Sequence, residues 1–217
     1  MSTQENPLIP GLAGVPACES AISYIDGNIG VLEYRGYPIA DLAANSTFEE
    51  VTFLLWNGRL PNVAELEELT ASLAAKRQVP DAILDIIRSL PKDGHPMDAL
   101  QACVSALGMF NADNRAWKDK EKAHEMCLEM VAVLPTLTAA FDRVRRGLEI
   151  IAPDPTASTA ANFLYMVNGE MPDELAARVL DVALILHADH TMNASTFTAR
   201  VVASTESDPY SVISAAI

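Results

Sequence analysis

The sequence predicts an all-α fold with a single small β-hairpin near its N-terminus. Three observations predict it. From Pro38 onward, apolar residues recur at helical spacing. Nearly every such segment opens on a proline or on a Ser, Thr, Asn or Asp able to cap it. β-Prone stretches are confined to residues 7–36, where Asp26-Gly27-Asn28 separates two of them at 21–34. With 50% hydrophobic and 20% charged residues among 217, the chain has enough apolar side chains for one sizeable core. One helical domain is therefore expected over residues 37–217, with residues 1–36 forming an arm and hairpin packed on it.

The elements follow in order. Pro7-Leu8-Ile9-Pro10-Gly11-Leu12 carries three large apolar side chains that need a surface to dock on, in this chain or a neighbour. A lone hairpin is not stable by itself, so residues 21–34 must pack on the helical body or on another chain. Ser46-Thr47 opens a helix over 48–56 that stops at Gly58. Asn62 precedes Val63, Leu66, Leu69 and Leu73, and Pro80-Asp81 precedes Ile83, Ile86, Ile87 and Leu90, so both segments read as amphipathic surface helices. Pro96 opens a more apolar helix over 97–110, whose Ala99, Ala102, Ala106 and Gly108 allow close packing and predict a buried position. Further helices are expected over 116–134, 135–146, 158–168, 172–187 and 193–204, the second of them started by Pro135. Asp208-Pro209 opens a last one, whose apolar run Val212 to Ile217 lacks anything to pack against, so the sequence reads as interrupted.

Composition narrows the function classes. A net charge of −14 repels a phosphate backbone, and the one basic cluster, Arg143, Arg145 and Arg146, reads as a favourable helix C-terminus, so no nucleic-acid partner is expected. No apolar run reaches the roughly 18 residues of a membrane span, and the first seven residues hold no signal core, so a cytoplasmic protein without a membrane partner is expected. Cys18, Cys103 and Cys127 are odd in number and widely spaced, which predicts buried free thiols. No G-x-S-x-G, G-x-G-x-x-G or P-loop pattern occurs.

One segment is rich in chemistry: His187-Ala188-Asp189-His190-Thr191-Met192-Asn193-Ala194-Ser195-Thr196-Phe197, following a strongly apolar helix. Its many cap-forming residues compete with helical hydrogen bonding, so a break is expected near 189–193. With Asn193 as cap, the free N–H groups and positive end of the next helix would face the histidines and form an anion pocket suited to a carboxylate. The bland reading is a polar pair, His187 and Asp189, satisfied within a helix junction. A metal pair is the third, but His-x-x-His lacks the zinc-protease spacing and a third ligand, so no metal is expected. His95 and His124 carry no site of their own.

This segment resembles the signature helix junction of citrate synthases. Arg35-Gly36-Tyr37-Pro38-Ile39, residues 50–61 with Gly58-x-Leu60-Pro61, His95-Pro96-Met97-Asp98 and Asn162-Phe163-Leu164-Tyr165 are similar to further blocks of that family, in the same order. The resemblance implies the large helical domain of the short bacterial and archaeal form. It implies condensation of acetyl-CoA with oxaloacetate and water to citrate, the entry to the tricarboxylic acid cycle, with acetyl-CoA as co-substrate and no metal or cofactor. His190 would bind oxaloacetate, Ser195 would orient a catalytic histidine from a later helix, and Asn193 and His187 would shape the pocket. At its position Ser195 could instead cap a helix. The family's Gly-Pro-Leu-His-Gly block, its base aspartate, a further histidine and most of its carboxylate-binding arginines have no counterpart in these residues, so the 217-residue chain alone is expected to be inactive. A homodimer is implied, with a higher homo-oligomer as the alternative. Two alternatives remain: 2-methylcitrate synthase acting on propionyl-CoA, and a non-catalytic self-assembly module.

Overall fold

A computed structural model describes residues 14–217. The apolar arm at residues 7–12 lies outside the described residues. Strands β1 (Ser23–Asp26) and β2 (Val31–Tyr34) pair antiparallel, with Ser23 opposite Tyr34 and Asp26 opposite Val31. Asp26 accepts the N–H of Asn28, and Gly30 takes φ 69°, so the turn spans residues 27–30 rather than the expected Asp26-Gly27-Asn28. A short third strand, β3 (Tyr37–Pro38), pairs with β2 across a turn in which Arg35 and Gly36 both have positive φ. The small element is thus a three-stranded sheet, the Arg35-Gly36 turn being hidden from a reading that looks only for Asp-Gly or Asn-Gly.

Ten helices follow: α1 (Ile39–Asn45), α2 (Phe48–Asn57), α3 (Val63–Ala75), α4 (Asp81–Ser89), α5 (Pro96–Leu107), α6 (Lys120–Arg145), α7 (Thr159–Asn168), α8 (Glu174–Leu186), α9 (Ala194–Ser204) and α10 (Pro209–Ala216). Most begin as the side chains dictate. Thr47 with Glu50, and Asn62 with Glu65, form reciprocal capping boxes at α2 and α3. Asp119, Ser158, Asp173, Asn193 and Asp208 cap α6 to α10 with single carboxylate, amide or hydroxyl oxygens. His95 does the same for α5 through Nδ1, which accepts the N–H of Met97 at 3.2 Å. Gly58 and Gly169 close α2 and α7 in the left-handed conformation.

The main departure from the sequence reading is α6. Pro135 does not start a helix; it lies inside one of 26 residues. Its ring removes the N–H that would bond to Val131, which ordinarily costs about 3 kcal/mol. Burial on both sides outweighs that loss, because Met130, Ala132, Val133, Thr136, Leu137, Ala140 and Phe141 are all buried from one stripe of this helix. Helix α5 also differs, since Ala99, Cys103, Val104 and Leu107 are buried whereas Gln101, Ala102 and Ser105 are exposed. It packs with one face only, and Gly108 to Phe110 continue it as one 3₁₀ turn. Of the three free thiols only Cys103 is buried, with burial pushing it up to about 11, while Cys18 is partly covered and Cys127 exposed. Arg143 does more than complement a helix end: it is buried and donates to the carbonyls of Glu149 and Val167.

The largest core lies between α4, α5, α6 and α10, around Ile83, Ile87, Val104, Leu107, Met126, Leu137 and Tyr210. A second, beneath the sheet, joins Tyr34, Leu42, Val51, Leu54 and Ile185. A third packs Leu69 and Leu73 of α3 on Leu128 and Ala132 of α6. The sheet is tied to the body by Arg35, whose Nη2 donates to the Leu55 carbonyl at 2.6 Å. Arg178 ties α8 to the α1–α2 connection, through Ala43 O at 2.5 Å, Ser46 O at 2.7 Å and Asp181 at 2.7 Å. Among the described residues no helix is long and apolar enough to cross a membrane.

Candidate functional site

The expected break is present: α8 stops at Leu186, α9 begins at Ala194, and residues 187–193 turn between them. Asn193 is the N-cap of α9, its Oδ1 accepting the N–H of Thr196 at 2.8 Å and its carbonyl the N–H of Phe197 at 2.9 Å. The N–H groups of Ala194 and Ser195 make no hydrogen bond among the described residues, so the positive end of α9 is open to an anion.

His187 caps the other helix, with its N–H on the carbonyls of α8. Its Nδ1 lies 2.7 Å from the Ala183 carbonyl. A carbonyl can only accept, so Nδ1 holds a proton and donates it to this bond. His190 is exposed and makes no hydrogen bond among the described residues. Ser195 is the second residue of α9, exposed and without a hydrogen bond, so it is not the cap. The four sequence-derived residues thus lie in or beside the one turn between α8 and α9, where His187, His190, Asn193 and Ser195 are all exposed. Arg200 is exposed farther along α9.

Asp189, the carboxylate beside His190, is already engaged. Its Oδ1 accepts from the hydroxyl of Ser23 and from the N–H of Thr191, the latter at 2.9 Å. This Asx-type turn holds Thr191 at φ 56°, a left-handed conformation that a β-branched residue rarely adopts. Such backbone persists only where its surroundings enforce it.

The enforcing groups are ones that the sequence reading missed. Tyr34 is fully buried under the junction, and its hydroxyl reaches the carbonyls of Ile185 and Asp189 at 3.1 Å each. It also accepts the N–H of Asp189 at 3.2 Å. Burial raises the Tyr34 pKa above the ordinary phenol value, against the opposing hydrogen bond with the Asp189 backbone, so the hydroxyl stays a neutral donor. The available signal was indirect: an aromatic side chain in a sheet too small to stand alone must be inserted into something else.

No three His, Cys, Asp or Glu side chains gather as a metal site among the described residues. Two larger cavities lie elsewhere and are lined by none of the junction residues. One, of about 380 Å³, sits between α2, α3 and α6, where the His124 ring meets Trp56 edge-on. The other, of about 350 Å³, is an apolar groove along α6, α7 and α8.

With this arrangement in hand, comparison with known proteins is decisive for the family. A family model described as citrate synthase, C-terminal domain, matches residues 11–217. The chain belongs to the citrate synthase family. A citrate synthase of Synechocystis sp. is 46% identical over 217 residues, all of this chain and 54% of that protein. The crystal structure of citrate synthase from Pyrobaculum aerophilum superposes with a TM-score of 0.93 at 44% identity, covering 100% of this chain and 56% of that one. A 2-methylcitrate synthase of Mycobacterium tuberculosis is 44% identical over 207 residues, 95% of this chain and 52% of its own length. The chain spans about half the length of the curated relatives it matches. The all-α fold with its small sheet is the fold of this citrate synthase family.

Proposed function

We propose that this chain supplies the oxaloacetate-binding junction of a citrate synthase, which condenses acetyl-CoA with oxaloacetate and water to give citrate and CoA. The observation that carries the reading is an exposed His190 in the turn that leads into the open N-terminus of α9, in a chain whose sequence matches the family along its length. Oxaloacetate has two carboxylates and a ketone. In a chain of charge −14, its capture must rely on local donors. Helix N–H groups, the Nδ2 of Asn193 and the His190 ring are such donors, and a hydrogen bond from His190 to the ketone oxygen would polarise the carbon that is attacked. His187, with its proton on Nδ1, shapes the adjoining wall, and Ser195 faces outward to orient a histidine from elsewhere in the enzyme.

Acetyl-CoA enters as co-substrate, and the reaction requires no metal or cofactor. Removal of a thioester α-proton needs a positioned base and a donor at the developing enolate. The Oδ1 of Asp189 is held by Ser23 and Thr191, which ties this carboxylate to the turn. In this reading the 217 residues by themselves lack condensing activity, and oxaloacetate-dependent thiol release from acetyl-CoA by them would overturn that. The working protein is a cytoplasmic homodimer, and a monomer in native mass spectrometry would overturn that part.

The test is His190→Ala in the complete protein. Its KM for oxaloacetate rises and its kcat falls; unchanged kinetics would reduce His190 to a structural residue. A second reading, propionyl-CoA as acyl donor, is consistent with the 44% identity to a 2-methylcitrate synthase. Turnover of acetyl-CoA against propionyl-CoA by the complete protein decides between them.

A further inference from the structure

We infer that the N-terminal sheet clamps the junction and that Tyr34, assisted by Ser23, is a positioning residue that sets where the His190 ring stands. The inference rests on the reading of His190 as the oxaloacetate-binding side chain. Three observations lead to it.

First, both contacts are long-range and converge on one residue. Tyr34 and Ser23 face each other across the β1–β2 pair, and both reach Asp189, the residue before His190. Second, the backbone on the far side of His190 is strained, because Thr191 has φ 56°. The Asp189 carboxylate that stabilises this turn is itself held by Ser23. Third, α9, on the other side of the junction, packs on α10 and contains no buried residue, so none of its side chains locks residues 189–191. The geometry of residues 189–191 is therefore set from the sheet side. A histidine exposed on a short loop would otherwise sample several orientations, and a displacement of about 1 Å is enough to lower a rate by up to 100-fold.

The bland alternative is that Tyr34 is only a core side chain, whose loss lowers stability without touching the site. Kinetics of the complete protein, at a temperature well below unfolding, separate the two. Tyr34→Phe keeps the ring and removes the hydroxyl. It is expected to raise the KM for oxaloacetate about tenfold, leaving the KM for acetyl-CoA within about twofold. Ser23→Ala shifts the oxaloacetate KM in the same direction by a smaller factor. Because both act through His190, the double variant Tyr34→Phe with His190→Ala is no worse than His190→Ala alone. Ile87→Val, in the core away from the sheet, serves as a comparison that lowers stability with both KM values unchanged.

If His190→Ala is impaired while Tyr34→Phe and Ser23→Ala keep the oxaloacetate KM, the clamp is overturned and the functional reading stands. Effects that multiply in the double variant also overturn it. If His190→Ala is itself normal, the functional reading falls and takes the clamp with it. Should Tyr34→Phe fail to fold, Ser23→Ala is judged alone by the same criteria.

Discussion

Alanine substitutions at Asn193 and Ser195 separate a cap from a residue kept for its outward-facing hydroxyl. The two lie two positions apart at the start of α9 and are chemically able to play the same part. Only Asn193 has the geometry, with extended backbone at φ −71° and ψ 175° and its Oδ1 2.8 Å from the Thr196 nitrogen. Losing a side-chain cap costs about 1 kcal/mol. For a chain of this length that corresponds to a fall in Tm of about 2–4 °C. Ser195 is exposed and makes no hydrogen bond, and alanine is the better helix former by a few tenths of a kcal/mol. Ser195→Ala should therefore stay within about 0.5 kcal/mol of the parent. Urea unfolding measures both, with slopes compared so that a change in midpoint is read as stability. In the complete protein Ser195→Ala is expected to lower kcat despite its normal stability. A loss of more than about 1 kcal/mol in Ser195→Ala would refute its assignment as a non-cap, and normal kcat would refute its orienting role.

Gly108→Ala places a Cβ 3.0 Å from Cβ and 3.1 Å from Cγ of Tyr210. Tyr210 cannot easily retreat, since its hydroxyl donates to Glu129 at 2.5 Å and accepts from Asn111 at 2.6 Å. Overpacking costs of about 1–3 kcal/mol exceed a helix-propensity gain of about 1, so urea unfolding should show a net loss, and an unchanged midpoint would refute the tight α5–α10 contact. Glu65 is held down to about 2 from 4.5, chiefly by hydrogen bonding to the Arg59 guanidinium and then to the Asn62 N–H. Its folded pKa is depressed, so the stability it contributes is present above pH 4.5 and is lost as pH falls towards about 2. Glu65→Gln preserves the capping pattern and should flatten that acid limb slightly, the ion pair being solvent-exposed; an identical limb in parent and variant would remove the assignment.

Local features were legible in the sequence. The break between α8 and α9 could be read from Asp189, Thr191 and Asn193, and Asn193 proved to be the cap, as expected. The apolar faces of α3 and α4 were equally plain from Leu69, Leu73, Ile83 and Ile87, all of them buried. Val63 belonged to the same pattern yet is 75% exposed, because spacing alone does not show where a packed stripe ends.

What the sequence determined by itself was what neighbours in the chain decide: caps two or three residues from their N–H groups, apolar stripes at helical spacing, and a histidine-rich junction between two helices. The tertiary structure decided where opposing local preferences were outweighed. Pro135 reads locally as a start, but the buried stripe from Met130 to Phe141 carries α6 straight through it. Tyr34 reads as one residue of a hairpin. It became the support of Asp189 only because the sheet packs over the end of α8, bringing together groups 155 positions apart. Local hydrogen bonds depend on spacing and can be read from spacing. A hydroxyl that meets a distant backbone depends on how two cores close against each other, and no pattern within either segment encodes that.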